Sequence, residues 1–462
     1  MVFILAALGA CCLIFALRRT VLLMPAWMLL TPKALLLIDI ESLPVLSMYR
    51  FMCMVMLAMY IITVALANGG AVRKGPFFTA LFLFLGTALV SVLVNFGGQN
   101  AGLLTWLALL LEIAIPVFVF CHFASRLSIS EMTRLIKIYI AAYIAVCLYA
   151  IGAYLIGINP YIDFINTTTE TGRVMARTYS DTLRGARAQG TVSHPITFGA
   201  LIVLMLLTVY VVRLAGRFGV RKVVSIAMTS IVILTAALLT NSRSPLILFF
   251  VAVLAFGLSV GFVRSIKYVV LGLLLLAVLL STSDLFLEKF LSVVNIFDSS
   301  VGVEQNGSDL AMRGGQFLVA LGYFWQSPMW GHGLDATRMI ISSGSTSDLY
   351  DAESVLFKLM IDQGILGFIG FFGLLALVYR RVSAVLSGLL ARRMYLGMSA
   401  GYTIFVVSTG VMDTLQLFLL LSGFIYYYGA AVSSEESSQV RMDVGELAGA
   451  KLGEPREIKS HE

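Results

Sequence analysis

Charged residues are scarce in this sequence. Of its 462 residues only 12% are charged, while 59% are apolar, whereas a soluble domain carries about 25% charged residues. The polar side chains are too few to cover the surface of a globular protein. Composition therefore excludes a soluble enzyme, a disordered chain and a fibrous repeat, and it predicts an all-α polytopic integral membrane protein.

Residues that bind metals or form disulfides are also scarce. All five cysteines lie inside apolar runs, so none is placed for a disulfide in an outer loop, and none has the spacing of a metal site. The chain has four histidines, and His332 has no second histidine near it in sequence. No Gly-rich phosphate loop is present, so a bound nucleotide is not expected. The sequence predicts no metal and no other cofactor.

Apolar runs long enough to cross a bilayer recur along the chain. The candidate spans are 2–17, 21–38, 50–68, 77–95, 103–123, 135–157, 195–212, 223–239, 245–263, 268–282, 355–379, 394–412 and 415–432. The second span is weak because Pro25, Pro32 and Lys33 interrupt it. We predict about 12 or 13 transmembrane helices in one membrane domain over 1–432. A disordered cytoplasmic tail over 433–462 follows from its polar composition.

Basic residues set the predicted orientation of these spans. Arginine and lysine cluster in alternate short connections, including Arg18-Arg19 and Arg392-Arg393, and the positive-inside rule places such connections in the cytoplasm. We interpret the net charge of +7 as this loop bias and not as a sign of nucleic-acid binding. Two long loops, at about 158–194 and about 283–353, are then predicted to face the outside.

The first long loop contains arginine but no lysine. Its arginines are Arg173, Arg177, Arg184 and Arg187, and guanidinium groups bind phosphate and carboxylate bidentately. Arginine on the outer side also runs against the positive-inside bias, which favours an anion site for a lipid phosphate or pyrophosphate. A solvated basic loop, or an inverted topology, is the alternative. Arg243 is predicted on the same side, although a charge at a helix end can simply extend to the interface.

The second long loop is acidic and is too long for a plain connection. The stretch 313–334 is predicted to form an amphipathic helix followed by a Pro/Gly turn. Glu353 lies where the loop re-enters the membrane, so its carboxylate is expected to be partly desolvated, with a raised pKa that suits a general base. An acid that only stabilises a helix dipole is the alternative for Glu353.

Four stretches resemble the bacterial O-antigen ligase and polysaccharide polymerase superfamily. They are Arg187-x-x-Gly190 with His194-Pro195 and Gly199, Ser242-Arg243, Arg313 followed by Pro328-x-x-Gly331-x-Gly333, and Glu353-Ser354-x9-Gly364-x-x-Gly367. The likeness covers 184–367, in the family's order. In the family's ligases a histidine stands where this chain has Glu353. That departure favours a polymerase of exopolysaccharide, capsule or O-antigen over a ligase that acts on lipid A core.

The resemblance implies a metal-independent, inverting glycosyltransferase of the GT-C type, whose donor is a glycan on undecaprenyl pyrophosphate. Arg187 and Arg243 would stabilise the leaving pyrophosphate, with Arg184 and Arg313 as second choices. Stabilisation of this kind is worth about 3–4 kcal/mol per well-placed donor. Glu353 would orient or deprotonate the hydroxyl of the acceptor.

Four further roles and the expected setting follow from the same resemblance. His194 is a candidate either for phosphate contact or for a structural hydrogen bond, and Tyr161, Trp325 and His332 are candidates for sugar contact. The expected partners are the lipid-linked donor, the acceptor glycan, membrane lipid, a flippase and a chain-length regulator. The expected location is the bacterial inner membrane, with the active site facing the periplasm.

Two other functions stay open at this point. An O-antigen ligase would use the same donor with lipid A core as the acceptor. A transporter or flippase of lipid-linked sugar would move the substrate without chemistry. Transporters normally carry ionisable residues near the bilayer midplane on several helices, whereas Glu112 is the main deep candidate here.

Overall fold

The computed structural model describes residues 2–38, 46–66, 75–96, 100–167, 180–181, 185–216, 222–261, 310–344 and 354–452. These residues are largely helical, which confirms the prediction of an all-α polytopic membrane protein. The helices are α1 (Val2–Leu22), α2 (Met24–Trp27), α3 (Met48–Leu66), α4 (Phe78–Val94), α5 (Asn100–Leu109), α6 (Ile115–Ala124), α7 (Ile129–Ile156), α8 (Pro160–Asn166), α9 (Pro195–Ala215), α10 (Lys222–Leu239), α11 (Arg243–Val260), α12 (Leu310–Gln326), α13 (Ala336–Ser342), α14 (Val355–Val385), α15 (Leu389–Ser408) and α16 (Leu415–Leu452).

Two small antiparallel hairpins complete the regular structure of the described residues. Strand β1 (Leu36–Ile38) pairs with β2 (Leu46–Ser47), and β3 (Ser180–Asp181) pairs with β4 (Gly185–Ala186). A π-helical turn at Leu110–Ala114 joins α5 to α6, so these two helices form one span.

Within the described residues, seven helices are long and apolar enough to cross a membrane, and three shorter apolar helices accompany them. They are α1, the α5–α6 span, α7, α9, α11, α14 and the first part of α16, with α3, α4 and α10 as the shorter ones. The predicted span 268–282 lies outside the described residues. Helix α16 extends to Leu452, so it covers much of the segment for which we predicted disorder.

The weak second span is not a regular transmembrane helix. Helix α1 is kinked at Ala16, and after α2 the chain continues through turns to β1. Carbonyls at the end of α1, in α2 and in the turn after α2 are satisfied by tyrosines: the hydroxyls of Tyr139, Tyr143 and Tyr161 donate to the carbonyls of Leu22, Pro25 and Leu30. Such partners are needed because unpaired backbone groups are costly away from water.

The bundle has two ends that can be told apart by their contacts. Arg18 pairs with Glu131 at 3.2 Å, close to the start of α7; we name this the basic end. Beyond the other end of α7, the Asn159 side-chain amide donates to the Gly190 carbonyl at 2.8 Å; we name this the site end. Helix α9 starts at the site end and is the most enclosed of the seven candidate spans among the described residues, with 89% of its most apolar stretch buried.

Candidate functional site

A short segment before α9, residues 185–194, forms the centre of the candidate site; we name it the arginine segment. Three neighbours hold it in place. The Ala188 amide donates to the Leu239 carbonyl at 2.8 Å, and the Thr191 hydroxyl donates to the Leu29 carbonyl at 2.6 Å. Asn159 supplies the third contact, at Gly190. The segment is therefore fixed to α10, to residues near α2 and to the region after α7.

The chain turns at Gly190, and this turn lets the arginine segment lie against α9. Its φ is +57°, which is a left-handed conformation that suits glycine. A Cβ at this position would lie 3.0 Å from the ring of Phe198 and 3.3 Å from Val146. The resemblance motif Arg187-x-x-Gly190 thus has a structural reason for its glycine.

Arg187 joins the arginine segment to the turn between α10 and α11. Its side chain is buried, with 9% of the residue exposed. The Nε atom donates to the Thr240 carbonyl at 3.0 Å, and an Nη atom donates to the Ser242 hydroxyl at 2.5 Å. Arg187 also lines a cavity of about 30 Å³ between this segment and the end of α7. Arg187 is therefore in direct contact with Ser242 of the Ser242-Arg243 motif, although 55 residues separate them.

The turn that Arg187 contacts leads directly into Arg243. Asn241 has a φ of +50°, which is uncommon for a residue other than glycine and marks a constrained turn. Ser242 precedes α11 in an extended conformation, and the half-buried Arg243 is the first residue of that helix. The amino end of an 18-residue helix carries a partial positive charge, and anions bind there readily. Arg187, Arg243 and this helix end together favour an anion.

The starts of α9 and α11 pack closely together beside this turn. A Cβ on Gly199 would lie 2.6 Å from Pro245 and 3.4 Å from the Thr240 side chain. His194 lies just before α9, where its Nδ1 atom accepts a hydrogen bond from the Ile196 amide at 3.1 Å. The structure thus gives His194 the role of a helix cap, and it leaves Nε2 outside that bond.

The segment leading into α14 is anchored at the same part of the fold. The Ser354 side chain donates to the Val407 carbonyl at 2.5 Å and accepts from the Leu356 amide at 3.1 Å. The Val355 amide donates to the Thr409 carbonyl at 2.9 Å. Glu353 and Arg184 themselves lie outside the described residues, so their predicted roles stay predictions.

The glycine motifs of the second long loop and of α14 bind each other. Helix α14 breaks at Gly364, whose φ is +58°. The amides of Ile365 and Leu366 then donate to the carbonyls of Pro328 and Met329, at 2.8 and 3.1 Å. In return, the amides of His332 and Gly333 donate to the carbonyls of Ile361 and Asp362, at 2.9 and 3.0 Å. We name this contact the glycine joint.

Close approach explains why glycine is needed on both sides of the glycine joint. A Cβ on Gly331 would lie 2.4 Å from the backbone of Asp362, and one on Gly364 would lie 2.5 Å from the Pro328 carbonyl oxygen. The Asp362 carboxylate also accepts hydrogen bonds from the amide and hydroxyl of Thr337, both at 2.7 Å. The joint therefore fixes α12 and α13 to a membrane helix.

The remaining predicted site residues are spread over the site end and the loop. Arg313 lies in α12, half-buried, and Trp325 at the end of α12 is 69% exposed. His332 contacts the Tyr323 carbonyl at 2.9 Å through Nε2. The Tyr161 hydroxyl binds the Leu30 carbonyl, and burial raises the pKa of Tyr161 to about 12.

Sequence reasoning missed a charged network at the site end. Lys33 lies 2.8 Å from one oxygen of Glu112 and 3.0 Å from Asp413, while Arg50 binds the other oxygen of Glu112 at 2.6 Å. Glu112 is buried in the π-helical turn. Lys33 holds the pKa of Asp413 below its usual value. Burial alone would lower the pKa of Lys33, but Asp413 and Glu112 together raise it.

No cluster of three or more histidine, cysteine, aspartate or glutamate side chains suited to a metal ion occurs among the residues that the structure describes. The polar groups near Arg187 are instead guanidinium, hydroxyl and amide groups, which suit an oxyanion.

A comparison with known families matches one part of the chain. Residues 228–372 match the family model of the O-antigen ligase. The matched region contains Ser242-Arg243, Arg313 and both partners of the glycine joint, while Arg187 and His194 precede it. No curated protein matches the chain. The match confirms the resemblance to the O-antigen ligase and polysaccharide polymerase superfamily.

Proposed function

We propose that this chain, a member of the O-antigen ligase and polysaccharide polymerase superfamily by its match over 228–372, is a polysaccharide polymerase. It transfers a glycan from undecaprenyl pyrophosphate to a hydroxyl of an acceptor glycan, at the periplasmic face of the bacterial inner membrane. Its product would be exopolysaccharide, capsule or O-antigen. The observation that carries the proposal is the contact of Arg187 with the Thr240–Ser242 turn beside Arg243.

The proposed reaction is an inverting displacement. The acceptor hydroxyl oxygen attacks the anomeric carbon of the donor sugar and forms the new glycosidic bond. The bond from that carbon to the pyrophosphate oxygen breaks, and the bonding electrons leave with the pyrophosphate. Arg187 and Arg243 stabilise the negative charge that develops there, and the hydroxyl proton goes to the carboxylate of Glu353.

Electrostatics explains why the arginines are assigned to the leaving pyrophosphate. The leaving group is already a diphosphate, so the main barrier is the charge that grows on its oxygen. Fixed guanidinium groups in a site that excludes water are worth about 3–4 kcal/mol each in the transition state. Burial and two hydrogen bonds fix the guanidinium of Arg187 before substrate arrives. No metal ion is required by this scheme.

Two other functions use the same features differently. An O-antigen ligase would share the donor and the arginines, and it differs in taking lipid A core as acceptor. The glutamate at 353, where the family's ligases have histidine, is the feature that favours the polymerase. A transporter would need ionisable groups deep in several helices, whereas Lys33 and Asp413 of the charged network lie outside the membrane-spanning helices.

Gene deletion separates the three functions. We expect a deletion strain to place single repeat units where the parent strain has long chains. Full-length chains that remain on the carrier lipid would indicate a ligase instead. Lipid-linked repeat units confined to the cytoplasmic leaflet would indicate a transporter. Complementation with Arg243→Ala, at normal protein level, should fail to restore long chains, and full-length polymer from that variant would refute the pyrophosphate role.

A further inference from the structure

A second cavity lies at the site end, apart from the one beside Arg187. It has a volume of about 50 Å³ and lies between residues 28–33, the arginine segment and the start of α16. The residues of its lining that carry polar groups are Thr31, Lys33, Tyr49, Ser193, Thr197, Asp413 and Gln416. We name it the Lys33 cavity. The side chains of Lys33 and Asp413 keep 40% and 57% of their surface exposed, so both can meet a ligand.

Size limits what this cavity can hold. A single water needs about 10–15 Å³ of such space, so the cavity takes only a few atoms of water size. A whole sugar ring is too large for it. One edge of a sugar, with one or two hydroxyl groups, is of the right size.

Charge balance points to a neutral ligand. Two cations, Lys33 and Arg50, face two carboxylates, Glu112 and Asp413, so the network has no net charge. The cavity therefore offers little attraction to a phosphate, unlike the surroundings of Arg187. Its ammonium donor and carboxylate acceptor lie 3.0 Å apart. A hydroxyl group can accept from the first and donate to the second.

The Lys33 cavity lies next to the arginine segment, to which we assign the proposed reaction. Ser193 lines it, and Ser193 lies in the same fixed arginine segment as Arg187. A sugar edge in the cavity would thus be held by the segment that also holds the pyrophosphate ligand. Glu112 holds the charged network together, because it pairs with both Lys33 and Arg50.

We infer that the Lys33 cavity binds a hydroxyl-bearing edge of the acceptor glycan, with Lys33 donating to that edge and Asp413 accepting from it. This inference rests on the proposed function, because it names the acceptor of that reaction. Lys33 and Asp413 are then specificity-determining residues, and they leave the donor pyrophosphate to the arginines.

Kinetics of the full chain in proteoliposomes tests the inference. We expect Lys33→Met and Asp413→Asn each to raise the KM for acceptor at least about tenfold, as loss of a charge-assisted hydrogen bond does, with the KM for lipid-linked donor nearly unchanged. The matched control is Arg18→Met, which removes a cation from the ion pair with Glu131 at the basic end. A rise in the donor KM alone, or no change in either, would overturn the assignment.

Cysteine labelling gives a second test that needs no turnover and no variant of the network. We expect a single repeat unit, released from its lipid, to protect Ser193→Cys from a maleimide, while inorganic pyrophosphate does not. Ser343→Cys, exposed after α13, is the control and should stay reactive with either probe. Protection by pyrophosphate alone, or by neither probe, refutes the cavity assignment. Protection by the sugar in a protein that transfers no glycan would refute the proposed function and leave the cavity assignment intact.

Discussion

Replacement of Arg187 separates its structural role from its chemical one. In Arg187→Ala two charge-assisted hydrogen bonds are lost, to Thr240 and to Ser242, and such bonds are worth about 1.5–3 kcal/mol each. In Ser242→Ala only one of them is lost, and the guanidinium remains. If the guanidinium also stabilises the leaving group, Arg187→Ala should lose a further factor of about 10²–10³ in turnover.

The assay compares both variants with the wild type at equal protein level. Thermal unfolding in detergent measures stability, and polymer formation from lipid-linked repeat units in proteoliposomes measures turnover. We expect Ser242→Ala to keep turnover within about tenfold of the wild type, because the guanidinium and its hydrogen bond to Thr240 remain and the charge beside the leaving group is kept. The turnover of Arg187→Lys should lie between those of Ser242→Ala and Arg187→Ala, because an ammonium group lacks the planar geometry with which a guanidinium group donates to both acceptors. If Arg187→Ala turns over as fast as Ser242→Ala, the reasoning about the leaving group is wrong.

Three further predictions concern the glycine joint, the Lys33 cavity and Glu353. Gly331→Ala should lower the free energy of unfolding by more than the roughly 1–2 kcal/mol that a left-handed alanine costs, because its Cβ also meets the Asp362 backbone. The control is Gly344→Ala, which has a φ of +64° and open space around it and therefore shows only the cost of the left-handed conformation. Equal thermal unfolding of the two variants would contradict the glycine joint. Because Lys33 lowers the pKa of Asp413, the wild type should be more stable than Asp413→Asn at neutral pH, and this advantage should shrink as pH falls below about 4; an advantage in thermal unfolding that is constant down to pH 3 would speak against the pair. Glu353→Gln should lower polymer formation almost as much as Glu353→Ala if the carboxylate takes a proton, and a fully active Gln variant would reduce Glu353 to a positioning residue.

Hydropathy predicted the helices well where apolar residues are continuous. It could not predict the path of residues 21–38, because that path depends on hydroxyls of Tyr139, Tyr143 and Tyr161 from distant helices. Local sequence shows that the prolines break a helix, but it does not show which groups then satisfy the freed carbonyls.

The candidate site was predicted in part. The contact of Arg187 with Ser242 follows the order of the resemblance motifs, and the structure brings them together. The spacing of the glycine motifs at 328–333 and 364–367 indicates the family, but their mutual packing is a tertiary contact that spacing does not reveal. In the sequence Lys33 interrupts an apolar run, and nothing in the sequence pairs it with Asp413. A cation and an acid at the ends of apolar runs were the available signal.

The glycine joint relies on main-chain atoms, since amides and carbonyls of 328–333 and 361–366 make its hydrogen bonds. These hydrogen bonds do not involve the exposed side chains of α12, such as that of Trp325. The exposed residues of α12 could therefore change while the attachment of this helix to α14 stays the same.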